Sequence, residues 1–460
     1  MRAVFCLWFL LSALYPAELP KLAPPTMRLI DTARGVAPEF SSDLLLRLAS
    51  SKLITDPLWK RQLIEEAFAA GAHAQLPYAK RGEPSTDTHT TRLYWRNHLE
   101  ALSLQTQAVE AMLALNPNRA REMFDEIATP QVPPLPCKET GAADLSAYYA
   151  TGANVFETGF TPDQREQSAH LHFLERIVAE VRSPAQVSPA LALLFEVHLT
   201  PEQLDDLLAR FAGVLDHING TPREFEAAAG SLMAHVGKGA DVLIPSQRAY
   251  IVRHESGPRC SDDRITAAGP LPFAAFQFNS LIKIIDPTGT RFAPIQPDEV
   301  KPSKIEPSYP STIWWQSKRS RQVLEALKWL NHGNRDLPDD KRFFTLEERK
   351  SNDWNAHYTD TLKLIEGWEP HEEPSPDDWF GMVAQTYSLL AEMVPGGAER
   401  EAAFGRYLNF VETHYADVEN HNFWFTALQS LWTRDRWLAD RCAQSRNPVI
   451  ATYTEIAKLK

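Results

Sequence analysis

The residues in this 460-residue chain with the types and spacing to do chemistry fall into four groups. Asp353, His357 and Asp360 recur at i, i+4 and i+7 in Asp-Trp-Asn-Ala-His-Tyr-Thr-Asp. That spacing puts all three on one face of a helix, and a histidine between two carboxylates suits general acid–base work. A solvated charged stripe beside Trp354 and Tyr358 would show the same spacing. His172 and Glu175, at i and i+3, can reach a common metal ion, whereas His170 and His172 diverge by about 200° around a helix. A histidine pair with no metal accounts for them equally.

The third group is aromatic. Trp379 follows Asp377 and Asp378, and Trp314-Trp315 opens a stretch that holds nine of the twelve tryptophans. Flat rings beside carboxylates can stack on sugars while a carboxylate pair works on a glycosidic bond. Tryptophans at helical spacing also serve as core, since each buries a large apolar area. Trp314 and Trp315 are adjacent and cannot both face one core from a helix, so one of them is expected at the surface or against the neighbouring proline-rich segment. The fourth group is Cys137 and Cys260, both in loop-like contexts and expected to pair if the chain enters an oxidising compartment. With Cys442 they would otherwise be three inert thiols.

Several classes lack their signatures. There is no nucleotide-binding glycine loop, no Gly-x-Ser-x-Gly elbow and no His-Glu-x-x-His, and no cofactor is expected. A formal net charge of −12 repels nucleic acid and anionic membrane on average. Residues Ala3 to Leu14 are almost all apolar, but a dozen residues fall short of the roughly 20 that span a bilayer. Preceded by Arg2 and followed by Pro16-Ala17, they read as a signal peptide over 1–17. The expectation is an exported protein, periplasmic or extracellular, with no integral membrane span.

The elements that must position these groups are helices. Thr161-Pro-Asp-Gln, Thr200-Pro-Glu-Gln and Thr221-Pro-Arg-Glu each fit a capping box with proline at the first helical position. Behind Thr200, Leu204, Leu207, Leu208, Phe211, Val214, Leu215 and Ile218 form one apolar stripe. Of Ser183-Pro and Ser188-Pro, the second is the expected start, because Pro189 would break a helix begun at 184. Ala120-x-x-x-Phe124, followed by prolines, resembles the second helix of a tetratricopeptide repeat, although the first helix lacks that repeat's Trp, Gly and Tyr positions.

These signals predict an all-α fold of antiparallel helical hairpins, an irregular α–α superhelix or bundle array, with a small extended, β-containing, proline-rich insert. Residues 18–40 read as an extended arm, 41–236 as one helical domain and 313–460 as a second, tryptophan-rich one. Between them, 237–312 carries six prolines from Pro287 to Pro310 and two short β-prone runs, Arg248–Val252 and Phe276–Ile285, the second also readable as a helix. The function expected of such a chain is a protein- or peptide-binding scaffold offering a groove. The alternative is a secreted hydrolase acting on carbohydrate from the tryptophan-rich block.

Overall fold

The computed structural model describes residues 19–74, 98–130, 145–218, 240–261, 271–307, 315–332, 344–414 and 436–458. Nearly all regular structure in them is helical. Among the described residues ten helices precede the insert: α1 (Pro24–Arg34), α2 (Pro38–Ser50), α3 (Pro57–Gly71), α4 (Ala101–Leu113), α5 (Pro117–Glu126), α6 (Ser146–Thr158), the single turn α7 (Pro162–Glu166), α8 (Ala169–Ala179), α9 (Pro184–Glu196) and α10 (Pro201–Leu215). The insert holds α11 (Ala240–Glu255), β1 (Pro258–Cys260), α12 (Phe273–Ile285) and β2 (Lys304–Glu306). After it come α13 (Lys318–His332), α14 (Asn352–Glu366), α15 (Pro376–Met393), α16 (Gly397–His414), α17 (Arg436–Ala443) and α18 (Pro448–Ala457).

Many of these helices start where a polar side chain meets a proline. Thr161 and Thr200 form complete capping boxes with Gln164 and Gln203. Asp56 accepts from the backbone N–H groups of Leu58 and Trp59, and Asn447 from those of Val449 and Ile450. In each case an orphan donor of the first turn is satisfied, and the proline has none to lose. Behind Thr200, α10 buries Leu207, Leu208, Phe211 and Leu215 as one stripe. The Thr221 start lies outside the described residues.

Three local expectations are corrected. The 18–40 arm is not extended through its length: α1 occupies Pro24–Arg34 and α2 begins at Pro38. Its prolines sit in first turns, where a missing N–H costs nothing, and Ile30 and Ala33 are fully buried. Only the lead-in runs extended, pinned where Trp59 Nε1 donates to the Pro20 carbonyl at 2.7 Å. Second, α9 starts at Pro184 and carries Pro189 inside it. The Ser183 N–H is taken by Gln186 Oε1 at 3.0 Å, and burial of Val187, Ala190, Leu191 and Leu194 offsets the ladder bond that Pro189 cannot make. Third, Arg248–Val252 is helical within α11; of the two readings of Phe276–Ile285, the helical one holds, within α12. The β-structure is instead β1 paired in parallel with β2, Arg259 opposite Ile305.

Neighbouring helices bury their stripes pairwise. α2 packs on α3, α3 on α4, and α4 on α5 and α6; α6 meets α9, α8 meets α10, and α10 meets α11. Beyond the insert α13 packs on α14, α15 on α16, and α17 on α18. α18 then lies against α1 and α2, so apolar residues from Ile30 to Ile456 belong to one core. No helix among the described residues is long and apolar enough to cross a membrane. The loop after α12 is organised by Asp286, whose Oδ2 accepts from the N–H groups of Arg291 at 2.6 Å and Phe292 at 2.9 Å. Those bonds hold its carboxyl down at about 2.

Gly152 marks one of the tight crossings. A Cβ there would lie 3.1 Å from Leu193 Cδ1 and 3.3 Å from Phe124 Cζ, so α6 approaches α5 and α9 only because that residue has no side chain. Gly152→Val should therefore destabilise the protein by about 2–3 kcal/mol through overpacking, read by urea unfolding; an unchanged midpoint would contradict the close approach. Asp286→Ala should abolish hydrogen-exchange protection at the Arg291 and Phe292 amides. In the wild type, the carboxyl's stabilising contribution is whole above the ordinary Asp range near 3.9 and is lost as pH falls through about 2.

Candidate functional site

Asp353, His357 and Asp360 do share a face of α14, and that face is exposed. His357 Nδ1 lies 3.0 Å from the Asp353 carbonyl and 3.5 Å from its Oδ1. The imidazole is stacked on Trp329 with ring centres 3.4 Å apart. Asp360 pairs with Lys363 at 2.9 Å, and that hydrogen bond holds its carboxyl below the ordinary range. Half of the arrangement, Asp353 with His357, is therefore assembled; Asp360 is turned to a different partner.

His172 Nδ1 reaches Glu175 Oε2 at 3.0 Å, while Glu175 Oε1 takes Arg210 at 3.1 Å. His170 points inward instead, between the rings of Phe156 and Phe160. Burial first, and the Arg165 charge second, lower its imidazole pKa. Among the described residues no cluster of three or more His, Cys, Asp or Glu side chains is arranged to hold a metal.

The described tryptophans near the acidic residues face the core. Trp379 is buried and its Nε1 donates to the Trp368 carbonyl at 2.8 Å; Trp368 is buried too and donates to Glu373 Oε1 at 3.0 Å. Asp378 serves the start of α15, accepting from the Ser375 hydroxyl at 2.7 Å. Trp315, at φ 64°, is half-buried with its ring centre 6.2 Å from that of Trp368. Trp314, Cys137 and the side chains of Asp377 and Cys260 lie outside what is described. Cys442 is buried, and burial raises its thiol to about 12.

A different group of residues converges where α18 meets α2. Asp43 and Arg47 are one helical turn apart, and Tyr453 comes from α18. Tyr453 donates its hydroxyl to Asp43 Oδ2 at 2.5 Å, and Arg47 Nε donates to the same oxygen at 2.8 Å. The Arg47 guanidinium sits 5.3 Å above the Tyr453 ring, which Phe40 meets edge-on at 6.3 Å. A carboxylate only 8% exposed is thus held by one charged and one neutral donor. Burial, then the Asp43 charge, drives the Tyr453 phenol well above its ordinary value. At Arg47 burial is the largest influence and lowers the pKa, but Asp43 and Tyr453 together outweigh it and the pKa rises.

Beside this cluster opens a cleft of about 650 Å³, walled by α2, α4, α6 and α18, within the roughly 300–1,000 Å³ of small-ligand sites. Most of its exposed surface is apolar, from Leu46, Ala111, Ala147, Ala150 and Ile456 and from the stems of the polar and charged residues that make up the rest of the lining. Arg47 and Lys52 line one part and Glu110 another. The Ser50 and Ser51 hydroxyls, also in the lining, donate to the Leu46 and Leu48 carbonyls at 2.9 and 2.7 Å. Glu110 accepts from Asn154 at 2.9 Å. In the sequence only Asp43 and Arg47 give a hint, as charges four apart in a leucine-rich helix. Tyr453, 410 residues from Asp43, gives none.

No protein family, curated protein or solved structure matches this chain.

Tyr453→Phe should cost about 1.5–3 kcal/mol near neutrality, the worth of a hydrogen bond to a charged group. The pH dependence has a definite sign. An unfolded-state tyrosine ionises near 10, while folded Tyr453 does so well above that. Its contribution is whole below pH 10 and is lost above. The variant should therefore show an alkaline stability slope that matches the wild type below about pH 9 and is shallower by up to about 1.4 kcal/mol per pH unit above pH 10, measured by denaturant titration from pH 8 to 11; identical slopes above pH 10 would refute the burial of the phenol.

Proposed function

We propose that this chain is an exported, non-enzymatic scaffold that binds a peptide segment in the cleft between α2, α4, α6 and α18. The observation that carries the reading is the cleft itself, about 650 Å³ of mainly apolar surface with charged groups in its lining. Small side chains at Ala111, Ala147 and Ala150 let a peptide backbone come close, and the flanking helices are packed on both sides, so little ordering is needed on binding. A hydrolytic reading of the same cleft has less support. No histidine lines it, and its Ser50, Ser51 and Thr106 hydroxyls donate to helix carbonyls rather than to a base. The carbohydrate reading draws no support from Trp354, Trp368 and Trp379, which are buried.

Export rests on the apolar run Ala3–Leu14, and a Cys137–Cys260 bond would accompany it. Ala150, exposed on the cleft wall, provides the test. Ala150→Trp should fill the cleft and weaken binding of labelled apolar peptides at least about tenfold in fluorescence anisotropy, with thermal unfolding unchanged. Equal binding by both proteins would place the peptide elsewhere or remove it.

A further inference from the structure

We infer that the cleft recognises the free carboxylate at the C-terminal end of a peptide whose final residues are apolar; this rests on the peptide-binding reading above and names the feature being read. Arg47 is the anchor. Its Nε is committed to Asp43 and its plane is seated over the Tyr453 ring. Its two terminal nitrogens have no hydrogen-bond partner among the described residues, and the side chain is about one-third exposed where it lines the cleft. A guanidinium fixed on one edge and open on the other is the geometry that takes a carboxylate in two parallel hydrogen bonds. The rotamer entropy of the long side chain has already been spent on Asp43 and Tyr453, so binding does not have to meet it.

Lys52 supplies a second cation. It is exposed, lines the same cleft, and has no ion-pair partner among the described residues. Both cations stand near the end of α2, where exposed carbonyls would ordinarily repel an anion. Ser50 and Ser51 blunt that effect by donating to the Leu46 and Leu48 carbonyls. The rest of the lining argues for a peptide end over a simple organic acid. Glu110 and Gln107 on α4 place acceptors beside the small apolar side chains Ala111, Ala147 and Ala150. A peptide, unlike a fatty acid, brings N–H donors along with its apolar side chains.

The test uses the full-length protein and fluorescein-labelled pentapeptide pools with apolar residues at the last three positions, made with a free C-terminal carboxylate or as the amide, and decanoate as competitor. The expected result is binding of the free-acid pool and at least about tenfold weaker binding of the amide. Lys52→Ala should weaken the free-acid pool about threefold to tenfold and leave the amide unchanged. Arg47→Lys, which keeps a charge for Asp43 but loses the fork, should erase the preference between the pools, with thermal unfolding showing that the protein is folded. Equal affinity for the two pools, both lost in Ala150→Trp, overturns carboxylate recognition while peptide binding stands. No binding by either pool overturns both. Decanoate binding where neither pool binds overturns the peptide and assigns the cleft to a small acid.

Discussion

The Asp43 carboxylate is the constraint on which the arrangement of this protein depends. Removing a charge from water is expensive, and an aspartate on the packed face of a leucine-rich helix would oppose burial of that face if left alone. Arg47 from the same helix supplies half of the compensation and Tyr453 from α18 the rest. Glu39, one turn earlier and also buried, has its carboxyl raised by the same desolvation. The polar side of α2 can therefore be closed only by a helix that brings a donor. The contact joins the end of the described chain to its beginning by specific geometry, where apolar packing alone would tolerate many positions for α18.

The same bond explains why the cleft has its character. Arg47 is held against Tyr453, so it neither sweeps through solvent nor folds onto the surface. Lys52, a few residues on, is not held in this way and is exposed. In a chain with net charge −12 the cleft lining is balanced, Arg47 and Lys52 against Asp43 and Glu110. The carboxylate preference proposed for it rests on that local balance.

What could be read from residue order was whatever is local. Thr161, Thr200, Asp56 and Asn447 announce helix starts because the capping bond spans two or three residues. At Ser183 the local cost of Pro189 is overridden by the burial that neighbouring helices supply. At 18–40 the prolines Pro24 and Pro38 sit in first turns, and the burial that makes α1 and α2 helical comes from residues distant in sequence. The candidate site was not legible for the complementary reason. Asp353, His357 and Asp360 have helical spacing, but spacing does not say whether a face meets solvent, and this one does. The cleft mixes small aliphatic and polar residues from α2, α4, α6 and α18, none of which forms a motif, and Arg47 in its lining is held in part through Tyr453, whose bond to Asp43 spans 410 residues.

That separation has a temporal side. At synthesis rates of about 5–20 residues per second, α18 emerges roughly 20–80 s after α2. Throughout that interval Asp43 lacks one of its two donors, and the surface on α1 and α2 that α18 will cover stays wet. The earliest helices of the chain are thus among the last to be locked. Closure of that face waits on α18, so the packing of α1 and α2 is tied to synthesis of the far end of the described chain.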